Sequence, residues 1–390
     1  MKTASSKRDR IETLLVGGGV VGRSIALAHV RRSVPFAIAD QDAHALERFA
    51  DSLHASGVKA TPGDPLWEGV HTLLVGGQDA EVSPVLMIES VAEDLEVKQQ
   101  LFRKASQSLS PDCVLASNTS TLRLNEIFRD VPHPERVGGM HFFMPVEQRS
   151  AVEIIRTSGT SRNTLERISK HASDLGKRVI ECRDAPGFVV NRLLSPYLNQ
   201  ALRLLCHGCD EGQLERAALA FGMPLSPLEL IDWIGARTMY QAGRAFLNAF
   251  PKRMDPSPIV PALVKRERFG RHTCKGLFDY DQSGRRSQTL AAECRQLIAD
   301  YQLKQLELTD GEVLLLLSIP MWIEAQALLR EEVVDDMGAI DLAMVGGLGF
   351  RSELRWSEFF QEVGARRIEE TAEQWSGTFR TMQLSRDKVE

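Results

Sequence analysis

Directly after the apolar stretch at residues 11–16 comes Gly17-Gly-Gly-Val-Val-Gly22, followed by Ser24-Ile-Ala-Leu-Ala-His-Val30, whose apolar residues fall at helical spacing. A strand that must turn through glycines into a helix has few ways to fold. Gly17 permits the tight turn, Gly19 lets a pyrophosphate approach the backbone, and Gly22 lets the helix pack on the strand. Val20 and Val21 lie between the last two. The helix then presents the positive end of its dipole to the phosphates. With 29 glycines in the chain such a pattern arises easily by chance, so its context decides. Pro35-Phe-Ala-Ile-Ala-Asp40 reads as a second strand ending in an acid. A carboxylate there binds ribose hydroxyls and repels a 2′-phosphate, which favours NAD over NADP. Asp40 could also cap a helix over residues 43–49, and the two roles can coexist.

Further strands are expected at residues 71–75, 85–89 and 113–116, with a helix over 94–109 between the last two. Ligands in such sheets bind beyond the carboxyl ends of the strands, so Glu89-Ser-Val-Ala-Glu93 and Ser117-Asn-Thr-Ser120 are candidate site loops. Met140-His-Phe-Phe143 and then Val152-Glu153 follow. A neutral imidazole can accept a hydroxyl proton while hydride leaves carbon, and a carboxylate beside it orients the ring and favours the imidazolium. Alone, His141 would read as a satisfied core histidine and Glu153 as a charge at a strand edge; their order behind the glycine turn favours the chemical reading.

At 390 residues the chain suggests two or three domains. A net charge of −5 gives no sign of nucleic-acid binding, and no apolar run approaches membrane-spanning length, the longest being residues 313–317. The basic start, residues 1–10, lacks the apolar core of a secretory signal. Cys113, Cys182, Cys206, Cys209, Cys274 and Cys294 form no disulfide framework, which points to a reducing, cytoplasmic setting. Cys206-His-Gly-Cys209 has half a zinc site's spacing, but without a second pair it reads as the end of a helix, and no metal is expected.

Taken together, several stretches resemble the L-3-hydroxyacyl-CoA dehydrogenase family, in particular the dehydrogenase part of the bacterial fatty-acid oxidation alpha subunit. They are Glu89-Ser-Val-Ala-Glu-Asp-Leu-Glu-Val-Lys98, Leu115-Ala-Ser-Asn-Thr-Ser-Thr121, Gly139-Met-His-Phe-Phe143, Pro145-Val146, Val152-Glu-Ile-Ile155 and Pro186-Gly-Phe-Val-Val-Asn-Arg-Leu-Leu194. They run in the family's order over most of residues 11–280, with no hydratase domain expected ahead of them. The resemblance implies NAD as cofactor, an acyl-CoA substrate and His141 as general base paired with Glu153. It implies that Ser120 and Asn191 hydrogen-bond the reacting oxygen and the thioester end. It places Glu93, Lys98 and Asn118 near the nicotinamide ribose.

Departures bear on these roles. Met144 stands where the family usually carries an Asn that contacts the cofactor. The family often inserts a long helical hairpin that grips CoA after the second strand. Only residues 41–70 fill that gap here, with Thr61-Pro-Gly-Asp-Pro65 marking a turn. Glu147-Gln-Arg-Ser150 is more polar than usual, and His272 replaces a common lysine. The short gap favours an alternative substrate, a free 3-hydroxy acid as in gulonate-type dehydrogenases. Met144 favours a degenerate, non-catalytic subunit of an oxidation complex.

Downstream the chain turns helical. A shift of 124 positions aligns Val189 with Val313, Pro196 with Pro320, Ala201 with Ala325 and Gly222 with Gly346 without a gap, which suggests an internal repeat. Residues 281–300 read as a solvated linker, residues 359–375 as one helix, and the last dozen residues as loose. The expectation is thus an α/β Rossmann-type NAD-binding domain (8–184) followed by two repeated all-α domains (185–285 and 301–390). By the resemblance, single-copy relatives dimerise through the helical domain, so a duplicated chain is expected to be a monomer or weak oligomer.

Overall fold

The computed structural model describes residues 10–77, 80–351 and 353–384. The start of the basic N-terminal stretch and the last six residues of the tail lie outside them. The chain divides into two units, Met1–Ala185 and Pro186–Glu390.

In the first unit the apolar runs become strands and the amphipathic stretches helices. In order these are β1 (Arg10–Val16), α1 (Val20–Arg31), β2 (Phe36–Asp40), α2 (Ala43–Ala55), β3 (Ala60–Trp67), β4 (Val70–Val75) and β5 (Glu81–Glu89). There follow α3 (Leu95–Ser108), β6 (Val114–Ser117), α4 (Leu124–Ile127), β7 (Val137–Phe142), β8 (Ala151–Arg156), α5 (Arg162–Asp174) and β9 (Arg178–Arg183). One nine-stranded sheet results, in the order β3-β4-β2-β1-β5-β6-β7-β8-β9. The strands from β2 to β7 across its centre are parallel; β4 and β8 run antiparallel to their inner neighbours. The chain leaves β1 for β2 on one side and later returns to β5 on the other, so β1 sits where the order reverses. Val16, Glu89, Ser117 and Gly139 lie level across β1, β5, β6 and β7, and the loops beyond that line share one edge of the sheet.

Two local expectations are corrected here. Thr61-Pro-Gly-Asp-Pro65 is not a turn but part of β3, with Pro62 level with Leu73 and a register slip between Gly63 and Trp67. Proline is tolerated because β3 is the outermost strand and one of its edges needs no donors. No helical hairpin follows β2; the gap holds α2 and this strand. The cap of α2 is Asp42, which accepts from Ala45 N at 3.0 Å, and not Asp40.

The second unit comprises α6 (Val190–Cys206), α7 (Glu211–Phe221), α8 (Pro227–Ile234), α9 (Ala236–Ala249), α10 (Ile259–Lys265), α11 (Ala292–Asp300) and α12 (Asp310–Arg330). It ends with α13 (Met337–Leu342), α14 (Trp356–Val363) and α15 (Ala365–Trp375). Residues 281–300 are not a solvated linker: α11 buries Cys294 and Leu297, and Arg286 is bound by Glu215 and Glu229. The helix expected over 359–375 is broken into α14 and α15 at Gly364 (φ +82°). Phe379, Thr381 and Met382, expected to be loose, are buried. Gly222 ends α7 in the left-handed region, whereas Gly346 lies inside a π-helical turn (Ala343–Leu348) that follows α13, and Gly349 takes the left-handed position. The wide turn adds residues that an ungapped alignment cannot follow. Contrary to expectation, α12 is long and apolar enough to cross a membrane. It packs on α6 and carries Glu324, ion-paired with the fully buried Arg192.

Candidate active site

The glycine turn is dictated by close contacts. Gly17 has φ +107°, and a Cβ there would fall 2.6 Å from the Ser90 carbonyl oxygen. At Gly22 a Cβ would stand 1.8 Å from the Gly17 carbonyl oxygen, so any side chain pushes α1 off β1. Gly19, by contrast, faces open space and caps α1 without a side-chain hydrogen bond. The first-turn amides of α1 therefore remain available to an anion. Val20 is exposed at this N-terminus and Val21 packs against the sheet's apolar core. The Asp40 carboxylate accepts from Gly18 N and, at 2.8 Å, from Asp42 N. Each oxygen keeps a lone pair for a ribose hydroxyl. A cavity of about 510 Å³ opens beside Gly17, Gly19 and Asp40.

Past the level of Ser117, β7 and β8 place His141 directly opposite Glu153 as antiparallel partners. His141 Nδ1 lies 2.5 Å from Glu153 Oε2, with both residues buried. Nδ1 carries the proton toward the carboxylate, so Nε2 is the nitrogen bearing the lone pair. The edge of the Phe143 ring packs on His141 at 5.3 Å. Asn118 joins β6 to β7: its Oδ1 accepts from Phe142 N at 2.8 Å, which fixes the end of the strand holding His141.

Glu93 and Lys98 belong to a network that the sequence did not reveal. Lys98, on the buried face of α3, donates to Glu89 Oε1 at 2.5 Å and faces Glu93 Oε2 at 3.4 Å. Glu89 also accepts from Ser117 Oγ (2.6 Å) and Val91 N (2.7 Å). Burial raises its carboxyl above the usual range, against the pull of Lys98 and those donors. Glu93 Oε1 gathers Thr119 Oγ1, Ser120 N, Thr121 N and Thr121 Oγ1 within 2.7–2.9 Å. Burial pushes Glu93 up, but Lys98 and the loop donors outweigh it and hold the group below its ordinary value. The pair thus clamps the loop that carries Ser120. Glu89 and Ser117 stood in the sequence at the start of the candidate loops, with nothing local to show that Lys98 joins them.

On the other side of the turn, Ser24 Oγ donates to Glu147 Oε2 at 2.7 Å and accepts from Val146 N at 2.9 Å. The polar run after β7 is thereby tied to α1. Met144 is exposed and, as the sequence indicates, offers no hydrogen-bonding side chain at this position. Asn191 is the second residue of α6, in the second unit. Cys206 and Cys209 are buried and unpaired, with thiols pushed up by burial, as expected of the end of a helix. Among the described residues no group of three His, Cys, Asp or Glu is placed to hold a metal.

Residues 13–185 match the family model described as 3-hydroxyacyl-CoA dehydrogenase, NAD binding domain, and residues 187–280 match that of its C-terminal domain. The fold is shared with 3-hydroxybutyryl-CoA dehydrogenase from Escherichia coli K12, which is 22% identical with a TM-score of 0.74 over 96% of this chain and 97% of that one. It is shared with the dehydrogenase part of multifunctional enzyme 1 from C. elegans, 21% identical with a TM-score of 0.63 over 98% and 87%. M. tuberculosis FadB2 is 27% identical with a TM-score of 0.59, and 70% of this chain covers all of it.

Proposed function

The chain belongs to the 3-hydroxyacyl-CoA dehydrogenase family and is an NAD-dependent dehydrogenase, and we propose that it oxidises an L-3-hydroxyacyl-CoA to the 3-ketoacyl-CoA, as in fatty-acid β-oxidation. The observation that carries this reading is the register of His141 against Glu153 with a 2.5 Å contact between them. His141 Nε2 takes the proton of the 3-hydroxyl, and Glu153 holds the ring in the required tautomer and steadies the imidazolium. Ser120, on the loop clamped by Glu93, and Asn191, at the start of α6, donate to the reacting oxygen and the thioester end. NAD supplies the hydride acceptor. Gly17, Gly19, Val20, Val21 and Gly22 cradle its pyrophosphate, and Asp40 binds its adenosine ribose. Glu93, Lys98 and Asn118 act beside the nicotinamide, the first two by setting the Ser120 loop.

A second reading, a free 3-hydroxy acid as substrate, is favoured by one observation: α2 and β3 alone fill the segment between β2 and β4, where the family resemblance leads one to expect a helical hairpin that grips CoA. NADH consumption with acetoacetyl-CoA, longer 3-ketoacyl-CoAs and free 3-keto acids, measured side by side, separates the two. His141→Gln is expected to keep NADH binding and lose roughly 10²–10⁴-fold in turnover; unchanged turnover removes His141 from the chemistry.

We also read the second unit as two related helical halves within 185–285 and 301–390, after an NAD-binding domain at 8–184. Both α6 and α12 contain a proline, Pro196 and Pro320, at the same distance from the helix end. The eight-residue α8 and α14 each end at a glycine of near-identical conformation, Gly235 (φ +91°, ψ 139°) and Gly364 (φ +82°, ψ 140°), with a helix starting at once. The unpaired cysteines suit a reducing compartment, in keeping with a cytoplasmic protein.

A further inference from the structure

The cavity beside the glycine turn has one aromatic wall that the proposed chemistry does not use. Trp67, at the end of β3, lines it together with Val91, Val97, Leu101 and Lys104. The residue is half-buried, and the Lys104 ammonium stands over its ring, 5.2 Å from the centroid. A cation–π contact of this kind restrains an indole that would otherwise be mobile at a sheet edge. Its position follows from β3 itself: the ladder slips between Gly63 and Trp67, then resumes with Trp67 level with Val70.

We infer that Trp67, steadied by Lys104, is the stacking wall for the adenine of the bound dinucleotide. The inference rests on NAD dependence and on strand order. The pyrophosphate turn follows β1; His141 is on β7, three strands away on one side, about 14 Å at ordinary strand spacing. Trp67 is on β3, three strands away on the other side. A dinucleotide bound at its middle by Gly17 and Gly19, with its reactive ring toward His141, directs its other end past Asp40 toward Trp67. The lining suits a flat base, with apolar Val91, Val97 and Leu101 and one aromatic face.

Adenine also occurs in coenzyme A, so the test carries an arm for each source. Dissociation constants of NADH and of reduced nicotinamide mononucleotide, which lacks the adenylate, are measured by fluorescence for wild type, Trp67→Ala and Trp67→Phe. Apparent affinities for acetoacetyl-CoA and acetoacetyl-pantetheine are measured alongside. Stacking of one base on an aromatic ring predicts about a tenfold weaker NADH affinity in Trp67→Ala. Trp67→Phe should stay within about twofold of wild type, because it keeps a ring. Binding of the mononucleotide should be unchanged in both variants. Unaltered NADH affinity in Trp67→Ala overturns the assignment, as does equal weakening of NADH and the mononucleotide. So does a loss confined to acetoacetyl-CoA over the pantetheine thioester, which assigns the wall to coenzyme A. Failure of the dehydrogenase reading is distinct: adenine-dependent binding of NADH without turnover of any keto substrate.

Discussion

His29, fully buried in α1, has Nδ1 on the carbonyl of Ile25 at 2.8 Å, so its Nε2 accepts from Nε2–H of His171 on α5 at 3.0 Å. Both rings are held neutral. Burial, then the facing His171, lowers His29 to about 3; burial, with Asp174 opposing and Lys170 assisting, lowers His171 to about 4. In the unfolded chain both titrate near 6.5. Below that pH the unfolded state binds more protons than the folded one, so stability falls as pH drops from 6.5 toward 4 and is fully present above 6.5. Urea unfolding at a series of pH values should show this slope, and a His29→Leu/His171→Leu double variant should flatten it; an identical slope in the variant excludes the pair as its source. The same scale separates what could and could not be read from residue types. His141 and Glu153 stood out by their order behind the glycine turn; that they face each other comes from the antiparallel register of β7 and β8. Glu93 and Lys98 were named as candidates but their clamp was not legible, because Thr119 and Thr121 reach Glu93 only through the parallel pairing of β5 and β6.

Among the elements, the loop after α10 shows how a single side chain can organise backbone. Asp232, buried near the end of α8, accepts from Leu277 N at 2.6 Å, Phe278 N at 2.9 Å and the Tyr280 hydroxyl at 3.1 Å. The loop lies so close that a Cβ on Gly276 would fall 2.1 Å from the carboxylate. Burial raises Asp232 to about 6, against those three donors. Asp232→Ala leaves three buried donors without their acceptor and should destabilise the second unit by about 3 kcal/mol or more; an unshifted urea midpoint counts against the loop's dependence on it. Sequence reasoning found β1, β2, β4, β5 and β6 and the helices α1 and α3, whose periodicity is local. It erred on β3, on residues 281–300 and on the helix over 359–375. In each, proline, polar composition or an apolar run gave a local signal that an edge position, burial by neighbours or one left-handed glycine overrode.

For the molecule as a whole, α12 packs on α6 within one chain, and Arg192 of α6 is bound by Glu324 of α12 and by Glu331 just past its end. This packing of α12 on α6 supports the expectation that no dimer is needed to bury that helix. Light scattering at micromolar concentration should give a mass near the 43.4 kDa of one chain. A stable dimer weakened by substitutions on α6 is the result that sinks this reading. The glycine turn, the acid ending β2 and the alternation of the first strands and helices followed from the sequence by itself, since each rests on local spacing and on the steric limits of the backbone; His141 and Glu153 stood out there as candidates, and the register of β7 on β8 paired them. Only the tertiary structure decided what the polar strand-end residues bind, where Trp67 stands and how α12 is used. Those depend on which distant strands and helices lie side by side, and close packing rather than local periodicity settles that.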